Sequence, residues 1–334
     1  MHSWAPLHPS RDLELPDGRA VNPLPNITCI LNGASVHAEA ARGLVTRISR
    51  ELGTPAHVIV TRSGDELVTL ARRAVSEGHA RVAAGGGDGT VNAVASAVVG
   101  TDTALGVLPI GTLNHFAKDA GIPLELEDAV RNLFTGRVVK LDVGEVNGRV
   151  FVNNSGVGVY PHLVREREAQ QHHGHSKSVA FVIAVFAVLR HYVRLRVRLH
   201  LTEAEALARL TPFLFVGNNK YEIAGLEVGR RPSLTSGRLW VCTAPRASRR
   251  NLMAMAWRTL TARAGGRELN AIEVQEIWVD AATPRISVST DGEVSLMAAP
   301  LHYRIRPGAL GVVLPPQLAS NIRSQQLISK SPRS

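Results

Sequence analysis

The chain has 334 residues, of which 45% are hydrophobic and 4% aromatic, and its 38 Lys and Arg against 28 Asp and Glu give a formal net charge of +10. This length and apolar content exclude a disordered or fibrous protein and predict a globular chain of two domains. Two cysteines, Cys29 and Cys242, exclude a disulfide framework, and both are predicted to be small buried side chains within strands.

The positive charge predicts an anionic partner, which could be nucleic acid, a nucleotide or a phospholipid surface. The few aromatic residues and the absence of a recognisable binding module argue against nucleic acid, so a transient contact with an anionic membrane surface is favoured. Prolines interrupt the polar N-terminal segment, which does not resemble a signal peptide, and no apolar run is long enough to span a bilayer. A cytoplasmic location is therefore expected, while the oligomeric state cannot be derived.

After a flexible lead-in over residues 1–26, apolar strands alternate with amphipathic helices. Strands are predicted over 27–31, 57–61, 79–84 and 104–108, and helices over 38–52, 65–77, 91–98 and 113–120. This order predicts an α/β domain over 27–140, built on a doubly wound, mostly parallel sheet.

From Leu141 onward, short β-type runs dominate. Strands are predicted over 141–146, 149–153, 195–201, 212–217, 238–243, 273–279 and 285–290, and helices over 178–192 and 249–263. The pattern predicts a second, largely antiparallel β domain over 141–309, then a returning strand over 310–316. Residues 317–334 are rich in Ser and Gln and are expected to form a disordered tail.

The sequence Gly85-Gly86-Gly87-Asp88-Gly89-Thr90 lies where the third predicted strand passes into a helix. Glycines let backbone N–H groups approach a phosphate, and the positive end of the following helix dipole favours an anion. Because a carboxylate would repel phosphate, Asp88 suggests a bridging Mg²⁺ or an activated hydroxyl nearby. No Gly-Lys-Ser or Gly-Lys-Thr follows, which excludes a Walker A loop.

A second loop of this kind, Gly111-Thr112-Leu113-Asn114, follows the fourth predicted strand, and Thr61 ends the second. Ligands of open parallel sheets collect at the carboxyl ends of the strands, so these loops should converge on one crevice. Each feature alone is also explained by ordinary helix capping. Together they predict a nucleotide site.

The ordered set of motifs resembles the diacylglycerol kinase catalytic-domain family, bacterial lipid kinases related to sphingosine kinases. It comprises Gly-Gly-Asp-Gly-Thr, the later Leu-Pro-Ile-Gly-Thr-x-Asn-x-Phe-Ala, Leu141-Asp142-Val143-Gly144, Asn147-Gly148-Arg149, Phe215-Val216-Gly217-Asn218-Asn219 and Asp291-Gly292-Glu293. The resemblance runs from about Ile27 to Leu314. The glycine motif alone is shared with NAD kinases and phosphofructokinases.

The resemblance implies that the α/β domain over 27–140 binds the nucleotide and that the domain over 141–309 is a β-sandwich that carries the lipid substrate. ATP and Mg²⁺ would lie in the cleft between them. The residues implied to bind the nucleotide are Thr61, Gly86, Gly87, Asp88, Gly89, Thr90, Val91, Asn92, Gly111, Thr112 and Asn114. Phosphoryl transfer to a hydroxyl needs a base, and Glu293 is the candidate, with Asp291 as its partner or a metal contact and Asp88 as the third catalytic residue. Asp88 and Asp65 are the candidate ligands of Mg²⁺. Without the resemblance, Asp291-Gly292 would be read as a hairpin turn.

Two positions depart from the family pattern: His115 and Ser236 stand where members commonly have Asp. The loss of two carboxylates places a structural metal site at Ser236 in doubt. The function predicted is an ATP-dependent kinase that phosphorylates the hydroxyl of diacylglycerol or a similar lipid. The alternatives are an NAD kinase-like enzyme and a non-catalytic regulator that binds nucleotide or lipid.

Overall fold

The structure is a computed structural model that describes residues 26–158, 195–200, 206–211, 213–224, 227–243, 270–281 and 283–330. The predicted helices over 178–192 and 249–263 lie outside the described residues. Among those that are described, no helix has both the length and the apolar character needed to cross a membrane.

The N-terminal part alternates strands and helices, and its strands pair in parallel in the order β2-β1-β3-β4. The elements are β1 Ile27–Asn32, α1 Ala38–Glu51, β2 Ala56–Thr61, α2 Gly64–Ser76, β3 Arg81–Gly86, α3 Asp88–Val98, β4 Ala104–Pro109, α4 His115–Asp119 and α5 Leu126–Thr135. Every strand and helix predicted here is present within a few residues of its expected bounds, and α5 was not predicted.

Helices cover both faces of this parallel sheet. The buried side of α1 is formed by Ala38, Ala41, Val45 and Ile48, at the spacing that puts them on one helical face. They pack with α5 on one face of the sheet, whereas α2 and α3 pack on the other. The sheet is therefore doubly wound, and the carboxyl ends of β1 to β4 share one edge.

The C-terminal part is built mainly from antiparallel strands. They are β5 Arg137–Val146, β6 Arg149–Phe151, β7 Asn154–Gly158, β8 Leu195–His200, β9 Ala206–Thr211, β10 Phe213–Asn218, β11 Ile223–Ala224, β12 Glu227–Val228, β13 Leu239–Thr243, β14 Asn270–Val274, β15 Glu276–Ala281, β16 Arg285–Thr290, β17 Glu293–Ala298 and β18 Leu301–Leu314. One sheet has the order β14-β13-β10-β7-β16-β17. Its apolar face packs on β5, β6, β15 and β18, which gives a sandwich core.

The long strand β18 joins the two parts of the molecule. Its first half pairs with β15 and its second half with β4, while β5 runs antiparallel along its other side. The register shifts between Arg306 and Leu310, where Gly308 has a φ of 59°. This bulge lets one strand serve both halves, so that the sheet of the α/β part continues into the sandwich.

Two expectations from the sequence need correction. The strand expected over 273–279 is two strands, β14 and β15, which belong to different sheets. The tail expected to be disordered from residue 317 instead contains a helix, α6 Pro316–Lys330. The polar composition of this segment gave no indication that its few apolar side chains pack on the protein. Ala319 of this helix is buried in the core, and Leu318 lies near Gly121.

Both cysteines lie within strands, as predicted. Cys29 is in β1 and Cys242 in β13, and both are buried. Burial raises the pKa of the Cys29 thiol to about 12 and that of Cys242 to about 11, so both thiols are protonated at neutral pH. They act as small apolar side chains.

Candidate nucleotide and acceptor site

The glycine loop forms the start of α3. Strand β3 ends at Gly86 and the helix begins at Asp88, with Gly87 in an extended conformation at the cap. The first hydrogen bond of the helix runs from the Val91 N–H to the Gly87 carbonyl. The N–H groups that precede Val91 in this first turn have no carbonyl partner within the helix, which is the arrangement that binds phosphate.

The second loop packs directly on the first. A Cβ on Gly111 would lie 2.3 Å from Gly87 Cα and 2.7 Å from Gly87 N. The two backbones touch because neither residue has a side chain. The structure therefore brings both predicted loops together at the carboxyl edge of the sheet.

We expect the substitution Gly111→Ala to force these loops apart. The added Cβ overlaps backbone atoms that no rotamer change can move, so the variant should lose about 1–3 kcal/mol of unfolding free energy and bind ATP more weakly. Gly43→Ala is the control, because a Cβ at Gly43 within α1 meets nothing within 4 Å and should stabilise the helix by about 0.5–1 kcal/mol. Denaturant unfolding and nucleotide titration measure both. Equal ATP affinity in Gly111→Ala and the wild-type protein would contradict the loop contact.

Asn114 fixes the shape of the second loop. Its φ of 50° is left-handed, a conformation that Asn tolerates well. The side-chain amide donates to the Pro109 and Gly111 carbonyls, and Oδ1 accepts the Gly111 N–H at 3.2 Å. Asn114 therefore shapes the loop from within, while Thr112 is exposed.

The loop after β1 also borders the site. Its residues were not predicted from the sequence to lie there. Asn32 Nδ2 donates to Thr90 Oγ1 at 3.3 Å, and Ser35 Oγ donates to the Ile110 carbonyl at 2.8 Å. Through these bonds, Asn32 and Ser35 connect the loop after β1 to both glycine loops. The available signal was the run Asn32-Gly33-Ala34-Ser35 at the end of a buried strand.

The remaining predicted nucleotide contacts are placed less favourably. Thr61 is buried at the end of β2 and its hydroxyl donates to the Leu31 carbonyl. Val91 packs in the core, and its N–H is already bonded within the helix, so neither its side chain nor its N–H is free for a nucleotide. Asn92 is buried, and its Oδ1 has no hydrogen-bond partner among the described residues.

Asp88 holds the second loop rather than pointing at an open site. Its Oδ2 accepts the His115 N–H at 3.0 Å and its Oδ1 accepts the Phe116 N–H at 2.9 Å, at the start of α4. Asn153 Nδ2 lies 3.5 Å from Oδ1. These charge-assisted bonds make Asp88 the link between the glycine loop, α4 and the β-sandwich.

The residues predicted to bind Mg²⁺ follow different strands. Asp65 lies in the first turn of α2 and is exposed. Helix α2 follows β2, whereas Asp88 follows β3, and β1 lies between these two strands in the sheet. In the described ranges, no three His, Cys, Asp or Glu side chains cluster as metal ligands. The arrangement therefore fits nucleotide phosphates bound by backbone N–H groups, and the binding of Mg²⁺ by Asp65 and Asp88 stays a prediction.

Asp291 begins the tight turn between β16 and β17. The φ angles of Asp291 and Gly292 are 47° and 92°, and Thr290 pairs with Glu293 across the turn, so the hairpin reading of this sequence describes the backbone. The carboxylate accepts the backbone N–H groups of residues 152–154 at 2.6–2.9 Å. Asp291 thereby fastens this hairpin to the connection between β6 and β7.

The environment of Asp291 acts on its protonation in two directions. Burial raises the pKa of its carboxyl to about 6, although the three N–H donors and the charge of Arg231 work to lower it. Its oxygens are occupied by backbone donors, which favours a role in anchoring the hairpin over direct contact with a metal.

Glu293 follows this turn and faces the glycine loop. Its Oε1 lies 4.0 Å from the position that a Cβ would occupy on Gly89, and its Oε2 is 2.5 Å from Arg149 Nη2. The Glu293 side chain is 57% exposed and that of Arg149 35%. The structure therefore brings the predicted base from the sandwich to the first turn of α3.

A buried ion pair joins the two halves behind the cleft. The Arg231 side chain is fully buried, and its Nε donates to Asp119 Oδ2, at the end of α4, at 2.7 Å. Its other nitrogens donate to the carbonyls of Val152 and Asn218 and to Asn153 Oδ1. Arg231 thus supports the same backbone segment that binds Asp291, and no local sequence pattern indicates this role.

Two family models match most of this chain between them. The family model for the diacylglycerol kinase catalytic domain matches residues 26–146, and the model for the YegS C-terminal NAD kinase beta sandwich-like domain matches residues 157–314. Residues 26–146 therefore match the catalytic domain of the diacylglycerol kinase family. The predicted family is confirmed.

Curated proteins that are similar to this chain carry the name "Probable lipid kinase YegS-like". The protein of Cronobacter sakazakii is 29% identical over 301 residues, which cover 86% of this chain and 95% of the relative. The protein of Yersinia pestis is 26% identical over 309 residues, with coverages of 88% and 98%. The predicted enzyme class, lipid kinase, is confirmed at the level of the family.

Solved structures share the fold of this chain. A crystal structure of a diacylglycerol kinase from Bacillus anthracis superposes with a TM-score of 0.64 at 14% identity and covers 89% of this chain and all of that chain. The fold class predicted from the sequence, an α/β domain followed by an antiparallel β-sandwich, is confirmed.

The two departures from the family pattern have different surroundings. His115 begins α4 and uses its backbone N–H to bond Asp88. Ser236 bonds Asn219 Oδ1 through both its N–H and its hydroxyl, at 2.8 and 2.5 Å. Next to it, the buried Asp142 accepts the N–H groups of Gly237 and Gly308.

Burial raises the pKa of the Asp142 carboxyl, and its hydrogen bonds work to lower it. This network is satisfied by protein donors at the position where the family pattern implied a metal.

Proposed function

We propose that this protein transfers the γ-phosphoryl group of ATP to a hydroxyl of diacylglycerol or a similar lipid, at the cytosolic surface of an anionic membrane. Magnesium would accompany the triphosphate, and no protein step is assigned to it. The observation that carries the proposal is the placement of Glu293 opposite Gly89, in the first turn of the helix that follows the glycine loop. A proton acceptor and a phosphate-binding helix terminus thus face each other.

Each side of this cleft supplies one requirement of phosphoryl transfer. The open N–H groups at the start of α3 would hold the phosphates, and the contact between Gly87 and Gly111 fixes the loops that carry them. Glu293 would accept the proton of the lipid hydroxyl while the hydroxyl oxygen attacks the γ-phosphorus, and ADP would leave. The net charge of +10 would favour an anionic surface for access to the lipid.

The test follows labelled phosphate from ATP into a mixed lipid extract presented in anionic vesicles. We expect labelled lipid with the wild-type protein, and at least tenfold less with Asp88→Ala, because Asp88 holds the start of α4 against the glycine loop. Asp102→Ala, at an exposed turn residue, is the control and should match the wild-type protein.

Two other results would identify a different function, and two would contradict part of the proposal. Labelled NADP formed from NAD, with no labelled lipid, would establish the NAD kinase alternative. Nucleotide binding without any transfer would favour a regulator. Equal transfer on neutral and anionic vesicles would contradict the membrane part of the proposal, and incorporation that Asp88→Ala leaves unchanged would contradict the site.

A further inference from the structure

The position of Glu293 creates an electrostatic difficulty for phosphate binding. Its carboxylate lies opposite Gly89, at the positive end of α3 where an anion would bind. A carboxylate next to a triphosphate repels it, and more strongly when water is excluded. A cation between the two would remove that repulsion.

Arg149 supplies a cation beside this carboxylate. Its Nη2 donates a hydrogen bond to Glu293 Oε2, and this guanidinium makes no other hydrogen bond within the described part of the chain. A guanidinium has five N–H donors in a planar fork, so one edge can bond a carboxylate while another bonds a phosphate oxygen. The side chain remains 35% exposed, so it is accessible to a ligand.

The backbone on both sides of Arg149 is held by strand pairing or hydrogen bonds. Arg149 starts β6 immediately after a turn in which Asn147 and Gly148 have φ angles of 46° and 83°, and it pairs with Val146 of β5. At the other end of β6, the backbone of residues 152–154 bonds the Asp291 carboxylate. The backbone segments that carry Arg149 and Glu293 are therefore joined through the hydrogen bonds of the Asp291 carboxylate.

We propose that Arg149 bridges Glu293 and the terminal phosphate of bound ATP. The inference deepens the proposed function and rests on it for the catalytic part. The guanidinium neutralises the carboxylate in the free enzyme and donates to the γ-phosphate in the nucleotide complex. Arg149 is then the residue that distinguishes ATP from ADP.

The test measures ATP and ADP binding without lipid, by calorimetry, for the wild-type protein, Arg149→Gln and Arg149→Lys. We expect Arg149→Gln to bind ATP about tenfold more weakly and ADP unchanged, as the loss of one charge-assisted contact predicts, and Arg149→Lys to lie between. Arg47→Gln is the matched control, because Arg47 also pairs with a glutamate, Glu51 at 2.7 Å, and is 46% exposed, but lies on α1.

A double variant separates phosphate contact from the mere positioning of Glu293. In a Glu293→Gln background, Arg149→Gln should still weaken ATP binding. If it has no effect there, or if it weakens ATP and ADP equally in the wild-type background, the proposal is wrong. Failure of the lipid kinase proposal is distinguishable, because absent lipid labelling with intact ATP selectivity overturns that function alone. Absence of ATP binding in the wild-type protein overturns both.

Discussion

Glu293→Gln is expected to abolish most lipid phosphorylation while nucleotide binding remains. The amide keeps the shape of the side chain but cannot accept the hydroxyl proton, and the loss of a general base lowers kcat by about 10²- to 10⁴-fold. ATP affinity should be equal to or higher than that of the wild-type protein, since the substitution removes a negative charge facing Gly89 and frees Arg149. Initial rates with labelled ATP and direct titration of ATP measure the two quantities.

Glu276→Gln is the control for this prediction. The Glu276 side chain is 54% exposed, close to the 57% of Glu293, and pairs with His302 away from the glycine loop. It should retain wild-type kcat. A Glu293→Gln variant with a normal kcat, or one that loses ATP binding in proportion to its activity, would show that Glu293 is not the base.

The second large effect is expected on stability, from Arg231→Met. The methionine preserves much of the side-chain volume but leaves the Asp119 carboxylate, 8% exposed, without its cation. Breaking a buried ion pair by removing one partner lowers the free energy of unfolding by about 3–5 kcal/mol. Denaturant unfolding monitored by tryptophan fluorescence measures it, and an unfolding midpoint equal to that of the wild-type protein would refute the role of the pair.

A double variant shows how much of this loss comes from the unpaired carboxylate. Replacing both partners, with Arg231→Met and Asp119→Leu, removes the buried charge and should recover a substantial part of the stability. Arg231→Lys serves where the methionine variant fails to fold, because it keeps the charge but loses the fork that reaches Val152 and Asn153. Its stability should lie between those of the wild-type protein and Arg231→Met.

The sequence was sufficient to predict the half of the site that depends on local patterns. Strand β3, the glycines after it and the start of α3 are adjacent in the chain, and a buried strand followed by glycines and a helix permits few geometries. The meeting of Gly87 with Gly111 followed from parallel pairing of neighbouring strands. Glu293 was selected through the family motif, since an Asp-Gly turn alone has no functional meaning.

The parts that could not be predicted depend on contacts between distant residues. Asp88 was expected beside a metal, but its partners are N–H groups 27 and 28 positions later. The pair of Arg149 and Glu293 spans 144 positions, and that of Asp119 and Arg231 spans 112. No periodicity or spacing encodes such pairs. They arise only when the sandwich has packed on the α/β sheet.

The course of β18 has a consequence for the order in which the chain acquires its structure. On the side away from β3, the strand beside β4 is β18, whose pairing residue is Val312. While the chain emerges from the ribosome, β4 therefore keeps an open hydrogen-bonding edge until more than nine-tenths of the protein has been synthesised. The nucleotide-binding half is the first to be translated and the last to be completed.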